Sequence, residues 1–250
     1  MSGRNRLAGS GCLLALAMVL VTGCGSTDPG PGGAAGSPGT GGTTGAGGAT
    51  GAPTGGPYQP LAVNAMWAYQ VNDRGVAYEE TNVVEALEDM GGTKAGTMAY
   101  RMRESLPNET QLTWYQTAAN MTLRHHEQAL DAAGAMKSES WFSPYRLRLD
   151  ENAAHVTDGA TWTTTFTENH TSRSKPPSQT SKTETWLVLA ANETIVVPAG
   201  TFTTLRVSRT DQTDGSIKTY WFARGVGKVK EVTETGHTEE LSRYSIPAAQ

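Results

Sequence analysis

Apolar and polar side chains alternate along much of the chain after residue 57. Successive side chains of a β-strand point to opposite faces, so this period of two predicts strands with one buried face and one face in water. The pattern is typical of antiparallel sheet, and the abundant threonines agree with it because β-branched residues suit a pleated surface. The runs are Trp67, Tyr69 and Val71; Met98, Tyr100 and Met102; Tyr145, Leu147 and Leu149; and Trp162, Thr164 and Phe166, with Arg101, Arg146, Arg148, Thr163 and Thr165 expected on the opposite face.

Turn signals separate these runs and divide the region into about ten or eleven strands. They predict an all-β fold, an antiparallel meander that forms a barrel or a curved half-barrel of about ten strands. Residues 169–182, which contain Pro176 and Pro177, predict a long mobile loop, whereas residues 126–136 fit either a short helix or a strand end followed by a loop. The turn signals are Gly91-Gly92, Pro107-Asn108, Asp158-Gly159, Pro198-Ala199-Gly200, Asp214-Gly215 and Gly225-Val226-Gly227.

The N-terminus has a different pattern. Arg4 and Arg6 precede an apolar stretch, Leu13 to Val21, which ends in the small residues Thr22 and Gly23. Nine residues rise only about 14 Å as a helix, against a hydrocarbon core of roughly 30 Å, so a permanent transmembrane helix is not expected. A positive region, a short apolar region and a small-residue exit predict a signal peptide over residues 1–23.

The junction Val21-Thr22-Gly23-Cys24 resembles the lipobox of bacterial lipoproteins, with an aliphatic residue, two small residues and then cysteine. The resemblance implies cleavage before Cys24, a thioether-linked diacylglycerol on its sulfur and a third acyl chain, such as palmitate, on its new amine. Three acyl chains hold a protein firmly on a membrane, because one chain alone binds only marginally. Gly25, rather than aspartate, follows the cysteine, which by resemblance to the sorting rule of enteric bacteria implies the outer membrane. The domain is then expected in the periplasm or on the cell surface.

Composition divides the rest of the chain into a tether and a domain. Residues 24–57 consist, after Cys24, almost entirely of Gly, Ala, Pro, Ser and Thr, and such a segment buries too little apolar surface to order itself. Residues 58–250 suit a single β-rich globular domain. Cys12 is removed with the signal peptide, so no disulfide is expected within the mature chain. Loss of Arg4 and Arg6 takes the formal charge from −4 to −6, which gives no electrostatic reason to expect nucleic-acid binding.

The domain carries few signals of catalysis. It has no G-x-S-x-G nucleophile elbow and no free cysteine once Cys24 is lipidated. The histidines, His125, His126, His155, His170 and His237, form no ligand spacing typical of a metal site. The sequence therefore predicts a non-enzymatic protein without a metal or other cofactor. A carboxylate-dependent hydrolase, with acids brought together from distant strands, remains open as a third hypothesis.

A second resemblance concerns the domain. Val197-Pro198-Ala199-Gly200-Thr201-Phe202 and the segment from Tyr220 to Val229 resemble a pattern in uncharacterised secreted bacterial β-proteins, which are similar in architecture to LolA/LolB-type half-barrels that hold acyl chains. This implies an alternative function, a carrier of an acyl chain or other amphiphile. The first hypothesis is a membrane-anchored lipoprotein whose domain is structural or binds a protein or glycan partner, whereas a hydrophobic ligand belongs to the carrier alternative. The residues of the candidate apolar cavity, or of a filled core, are Trp67, Tyr69, Met98, Tyr100, Met102, Trp114, Met121, Trp162, Phe166, Trp186, Trp221 and Phe222.

Overall fold

The computed structural model describes residues 43–45 and 55–247. The predicted signal peptide, Cys24 and most of the predicted tether lie outside these residues. In the described part of the chain no helix is long and apolar enough to span a membrane.

The described residues form strands and two short 3₁₀ turns, Gly92–Lys94 and Ala153–His155, with no α-helix among them. The strands are β1 (Thr43–Gly45), β2 (Met66–Asp73), β3 (Val76–Asp89), β4 (Met98–Leu106), β5 (Glu109–Ala118), β6 (Met121–Asp131), β7 (Met136–Asp150), β8 (Thr161–Ser172), β9 (Lys175–Val197), β10 (Gly200–Asp211), β11 (Ile217–Ala223), β12 (Gly227–Thr233) and β13 (His237–Ile246).

From β2 to β13 each strand pairs antiparallel with the next one along the chain. The last strand returns to the first, since β13 pairs with β2 from His237↔Asp73 to Ser245↔Met66. Closure removes both free edges, and the prediction of an all-β antiparallel barrel is confirmed, with twelve strands where about ten were expected. Within the predicted tether, β1 pairs with the end of β13 beyond the residues that β12 occupies.

The predicted mobile loop at residues 169–182 is wrong. These residues are the ends of β8 and β9, which continue pairing as far as Ser172↔Lys175. Pro176 and Pro177 fit there because the ladder shifts register between His170 and Ser172 and β10 begins to pair with β9 only at Glu184. The strand alternative is correct for residues 126–136, where β6 runs to Asp131 and β7 begins at Met136.

The segment before β2 lies against one end of the barrel. The Pro57 carbonyl accepts a hydrogen bond from Gly225 N at 2.8 Å, in the turn between β11 and β12. The amides of Tyr58 and Gln59 donate to the Glu151 carboxylate just after β7, at 2.7 and 3.2 Å. The Tyr58 side chain is buried, so this segment is part of the folded domain.

In this turn, a close contact with Trp67 explains why position 227 is a glycine. Trp67 Nε1 donates to the Val226 carbonyl at 2.5 Å, which brings the indole against the backbone. A Cβ on Gly227 would lie 3.0 Å from Trp67 Nε1, and Gly227 also has a φ of +110° that other residues rarely adopt. The bend predicted from these glycines thus positions a tryptophan of the barrel interior.

Candidate ligand site in the barrel interior

A cavity of about 300 Å³ lies inside the barrel, and every barrel strand except β8 and β9 contributes to its wall. More than half of its lining residues carry a charged side chain, which is unusual because protein pockets are mostly apolar. The lining residues are Gln59, Trp67, Tyr69, Asn82, Met102, Glu104, Gln111, Tyr115, Arg124, Glu127, Arg146, Arg148, Arg209, Lys218, Tyr220, Lys228, Glu231 and Glu239.

Lys228 is the centre of one ion-pair network. Its ammonium lies 3.0 Å from Glu231 and in direct contact with Glu239, while Lys218 contacts the other oxygen of Glu231 at 2.8 Å. Burial lowers the pKa of Lys228, but the charges of Glu231 and Glu239 outweigh it and hold that pKa well above its ordinary value. Tyr69 also binds β12, because its hydroxyl donates a hydrogen bond to the Lys228 carbonyl at 2.9 Å.

Two further carboxyl groups, those of Glu80 and Glu104, lie near this network and form no ion pair within residues 55–247. Burial, reinforced by the charge of Glu239, raises the pKa of Glu104 to about 7 and that of Glu80 to about 9. Asn82 Nδ2 donates to Glu80 at 3.0 Å. Both shifts favour the protonated acids at neutral pH, more strongly for Glu80 than for Glu104, so this side of the barrel interior carries less negative charge than the sequence implies.

Arginines form a second part of the wall, which adjoins the first where Arg209 pairs across the strands with Lys218. Arg146 donates twice to Glu184, at 2.9 and 2.7 Å, and Arg209 lies 3.6 Å from the same oxygen. Arg124 pairs with Glu127 at 2.5 Å and donates to the Tyr115 hydroxyl at 2.6 Å.

Arg148 differs from these arginines. Its guanidinium lies over the rings of Tyr220 and Phe222, at 4.7 and 5.5 Å from their centroids. Within residues 55–247 it forms neither an ion pair nor a hydrogen bond, so its charge faces the cavity with support from these rings and, without direct contact, from the charge of Glu231.

The sequence prediction that Arg146 and Arg148 lie on a water-facing side of their strand is wrong. Both side chains line the cavity, and the alternating residues Leu147 and Leu149 are also buried, in a cluster with Tyr58 and Trp186. Both alternating sets of side chains at this end of β7 are thus enclosed, one at the cavity and the other in this apolar cluster. The alternation of apolar and polar side chains predicted the strand correctly. It carries no information on whether the rest of the barrel encloses the polar face.

The twelve residues predicted for an apolar cavity are not gathered at one place. Trp67, Tyr69 and Met102 line the cavity, whereas Met98 is 48% exposed. Five others are buried away from it: Trp114, Phe166, Trp186, Trp221 and Phe222. The remaining three are partly buried: Tyr100, Met121 and Trp162.

Sequence reasoning missed the charged residues that dominate the wall. Lys228 and Glu231 stand among apolar residues in β12, next to Val229 and Val232, and Glu239 lies in a polar stretch of β13. A lysine and a glutamate at such positions look like solvent-facing residues, because pairing across three strands is not visible in one sequence. The repeated arginines of β7 were the available signal.

The histidines take separate positions. His126 is sandwiched between Trp114 and Trp141, with ring centroids 4.3 and 3.8 Å away, and His155 stacks on Trp162 at 4.3 Å. Burial lowers the pKa of His125 to about 4, and the nearby Lys94 ammonium adds to this effect. Among the described residues, no three or more His, Cys, Asp and Glu side chains form a group that could hold a metal ion.

Fold and site together define a closed antiparallel β-barrel with a charged internal cavity. Comparisons of the chain with protein-family models, with curated proteins and with solved structures gave no match. The assignment of a function therefore rests on the chain's own residues.

Proposed function

We propose that the protein is a lipid-anchored, non-catalytic binding protein of the bacterial outer membrane, whose barrel interior holds a small polar ligand. The charged cavity is the observation that carries this proposal. Its volume lies at the lower end of the range for small-molecule sites. Structural stability alone does not account for such an interior, since apolar residues of similar volume usually stabilise a core as well as buried ion pairs do.

The alternative of an acyl-chain or amphiphile carrier has less support. Among the cavity residues that the structure describes, the apolar surface comes from Trp67, Tyr69 and Met102 and from the rings of Tyr115 and Tyr220. An acyl chain there would remove water from charged groups without replacing its hydrogen bonds. The wall therefore favours a ligand with polar groups.

A specific observation favours the hydrolase hypothesis as a second candidate. Glu104 has a raised pKa and Glu239 a lowered one, and both line the cavity, as an acid and a base of a glycosidase-like pair would. Glu239 is, however, already bound by Lys228 and His237, which fits a structural role better. Hydrolysis of a panel of aryl glycosides by the wild type, with loss of that activity in Glu104→Gln, would support the hydrolase instead.

The anchor is tested by replacing Cys24 with serine in the full chain. Thioether formation requires the sulfur, so Cys24→Ser should neither incorporate an alkyne-tagged palmitate nor fractionate with the outer membrane. The wild-type chain should do both. Cys12→Ser, inside the predicted signal peptide, is the matched control and should behave like the wild type. Continued labelling of Cys24→Ser would contradict the lipobox interpretation.

Ligand binding is tested by native mass spectrometry of the full chain purified from bacterial membranes in detergent. We expect a retained mass of small-molecule size that fragments as a polar compound. A retained species that fragments into fatty acids, beyond the covalent anchor, would support the carrier. A clean apo mass that stays unchanged after incubation with a periplasmic small-molecule extract would contradict the proposal.

A further inference from the structure

The arginine wall of the cavity carries more positive charge than its carboxylates neutralise. Arg146 and Arg209 share one carboxylate, Glu184. Arg148 and Arg209 lie over the same ring, with guanidinium carbons 4.7 and 5.8 Å from the Tyr220 centroid. These shared partners place three arginines around one part of the cavity, and Glu184 is the one carboxylate in ion-pair contact with them among residues 55–247. Glu231 also acts on Arg148 through its charge, but Lys218 and Lys228 already pair with it.

The other charges of the cavity are internally paired. Lys218 and Lys228 contact two carboxylates, Glu231 and Glu239. Arg124 has Glu127 as its partner. Glu104 lies beside this network, where burial raises its pKa to about 7, so at neutral pH it carries less than a full negative charge.

Hydrogen-bond donors on the arginine wall are also left without acceptors. The Arg209 Nε atom is buried and has no hydrogen-bond partner, and the Arg148 guanidinium has none within residues 55–247. A cation that is taken out of water without gaining acceptors for its hydrogen-bond donors destabilises the folded state. A ligand that supplied both charge and acceptors would remove that cost.

We infer that Arg146, Arg148 and Arg209 form a binding site for a small doubly charged oxyanion, a phosphate group or a dicarboxylate. The planar fork of a guanidinium matches carboxylate and phosphate oxygens in a bidentate way, which a lysine does not. Two negative charges match the two arginine charges that Glu184 leaves unneutralised. The inference rests on the proposed function, because it names the ligand chemistry of the same cavity.

The test uses the full chain purified in detergent and isothermal titration calorimetry with sodium phosphate and sodium succinate at pH 7. Sodium chloride at equal ionic strength is the control ligand. Arg148→Gln removes the unpartnered charge, and Arg148→Lys keeps the charge without the fork. Arg243→Gln is the matched control, since Arg243 pairs with Glu79 on the outer surface, where both side chains are 48% exposed.

At least one dianion should bind the parent and the Arg243→Gln chain, and the ratio of the two affinities identifies phosphate or dicarboxylate as the preferred group. Arg148→Gln should bind about 10- to 100-fold more weakly, since hydrogen bonds to a charged group contribute about 1.5–3 kcal/mol each. Arg148→Lys should lie between them. If Arg148→Gln did not fold, an affinity of Arg148→Lys equal to that of the parent would overturn the inference.

Two results separate this inference from the proposed function. Binding of neither dianion above chloride, together with an uncharged molecule found in the cavity by native mass spectrometry, would overturn the oxyanion site and leave the binding function intact. Equal dianion affinity in Arg148→Gln and the parent would also overturn the site. Absence of any bound small molecule by both methods would overturn both.

Discussion

Glu184 is a fully buried carboxylate that serves two arginines of the cavity wall. Glu184→Gln keeps the shape of the side chain but leaves Arg146 and Arg209 without a counter-charge. Breaking a buried ion pair by removing one partner typically costs about 3–5 kcal/mol, so we expect a loss of this size in the free energy of unfolding. Urea denaturation of the full chain with Cys24→Ser measures it. Glu79→Gln is the control, because its pair with Arg243 is exposed and such pairs contribute only about 0–1 kcal/mol. Equal losses in the two variants would show that the interior is hydrated well enough to screen the arginines.

At the scale of the strand, alternation predicted the existence of the elements but not their surroundings. The run from Tyr145 to Leu149 was correctly assigned to a strand, whereas the environment of its arginines depends on closure between β13 and β2, whose partners lie more than 160 residues apart. The hairpin of β8 and β9 was missed for a related reason. Pro176 and Pro177 argue against a central strand in any sequence, but here they fall beside a register shift in the ladder with β8, where β9 does not yet pair with β10. The turn with Gly225 and Gly227 was predictable because its cause is local backbone conformation.

The barrel as a whole encloses groups whose protonation differs between the folded and the unfolded chain. Burial first, and then the charges of Glu239 and Glu104, raise the pKa of Glu80 from 4.5 to about 9. A raised carboxyl pKa contributes stability that is fully present below pH 4.5 and declines as the pH rises towards the folded-state value near 9. We therefore expect the wild-type chain to lose stability between pH 7 and pH 9. Glu80→Gln mimics the protonated acid and can still accept a hydrogen bond from Asn82, so its free energy of unfolding should fall less over this range. The difference from the wild type is up to about 1.4 kcal/mol for each pH unit. Urea denaturation at pH 7, 8 and 9 measures the difference, and Glu79→Gln, the outward-facing neighbour on the same strand, should follow the wild type. A Glu80→Gln chain that lost stability as steeply as the wild type would show that Glu80 is ionised in the folded barrel. The Lys228 network would then carry one more negative charge, which would oppose part of the two positive charges that the arginine wall leaves unneutralised.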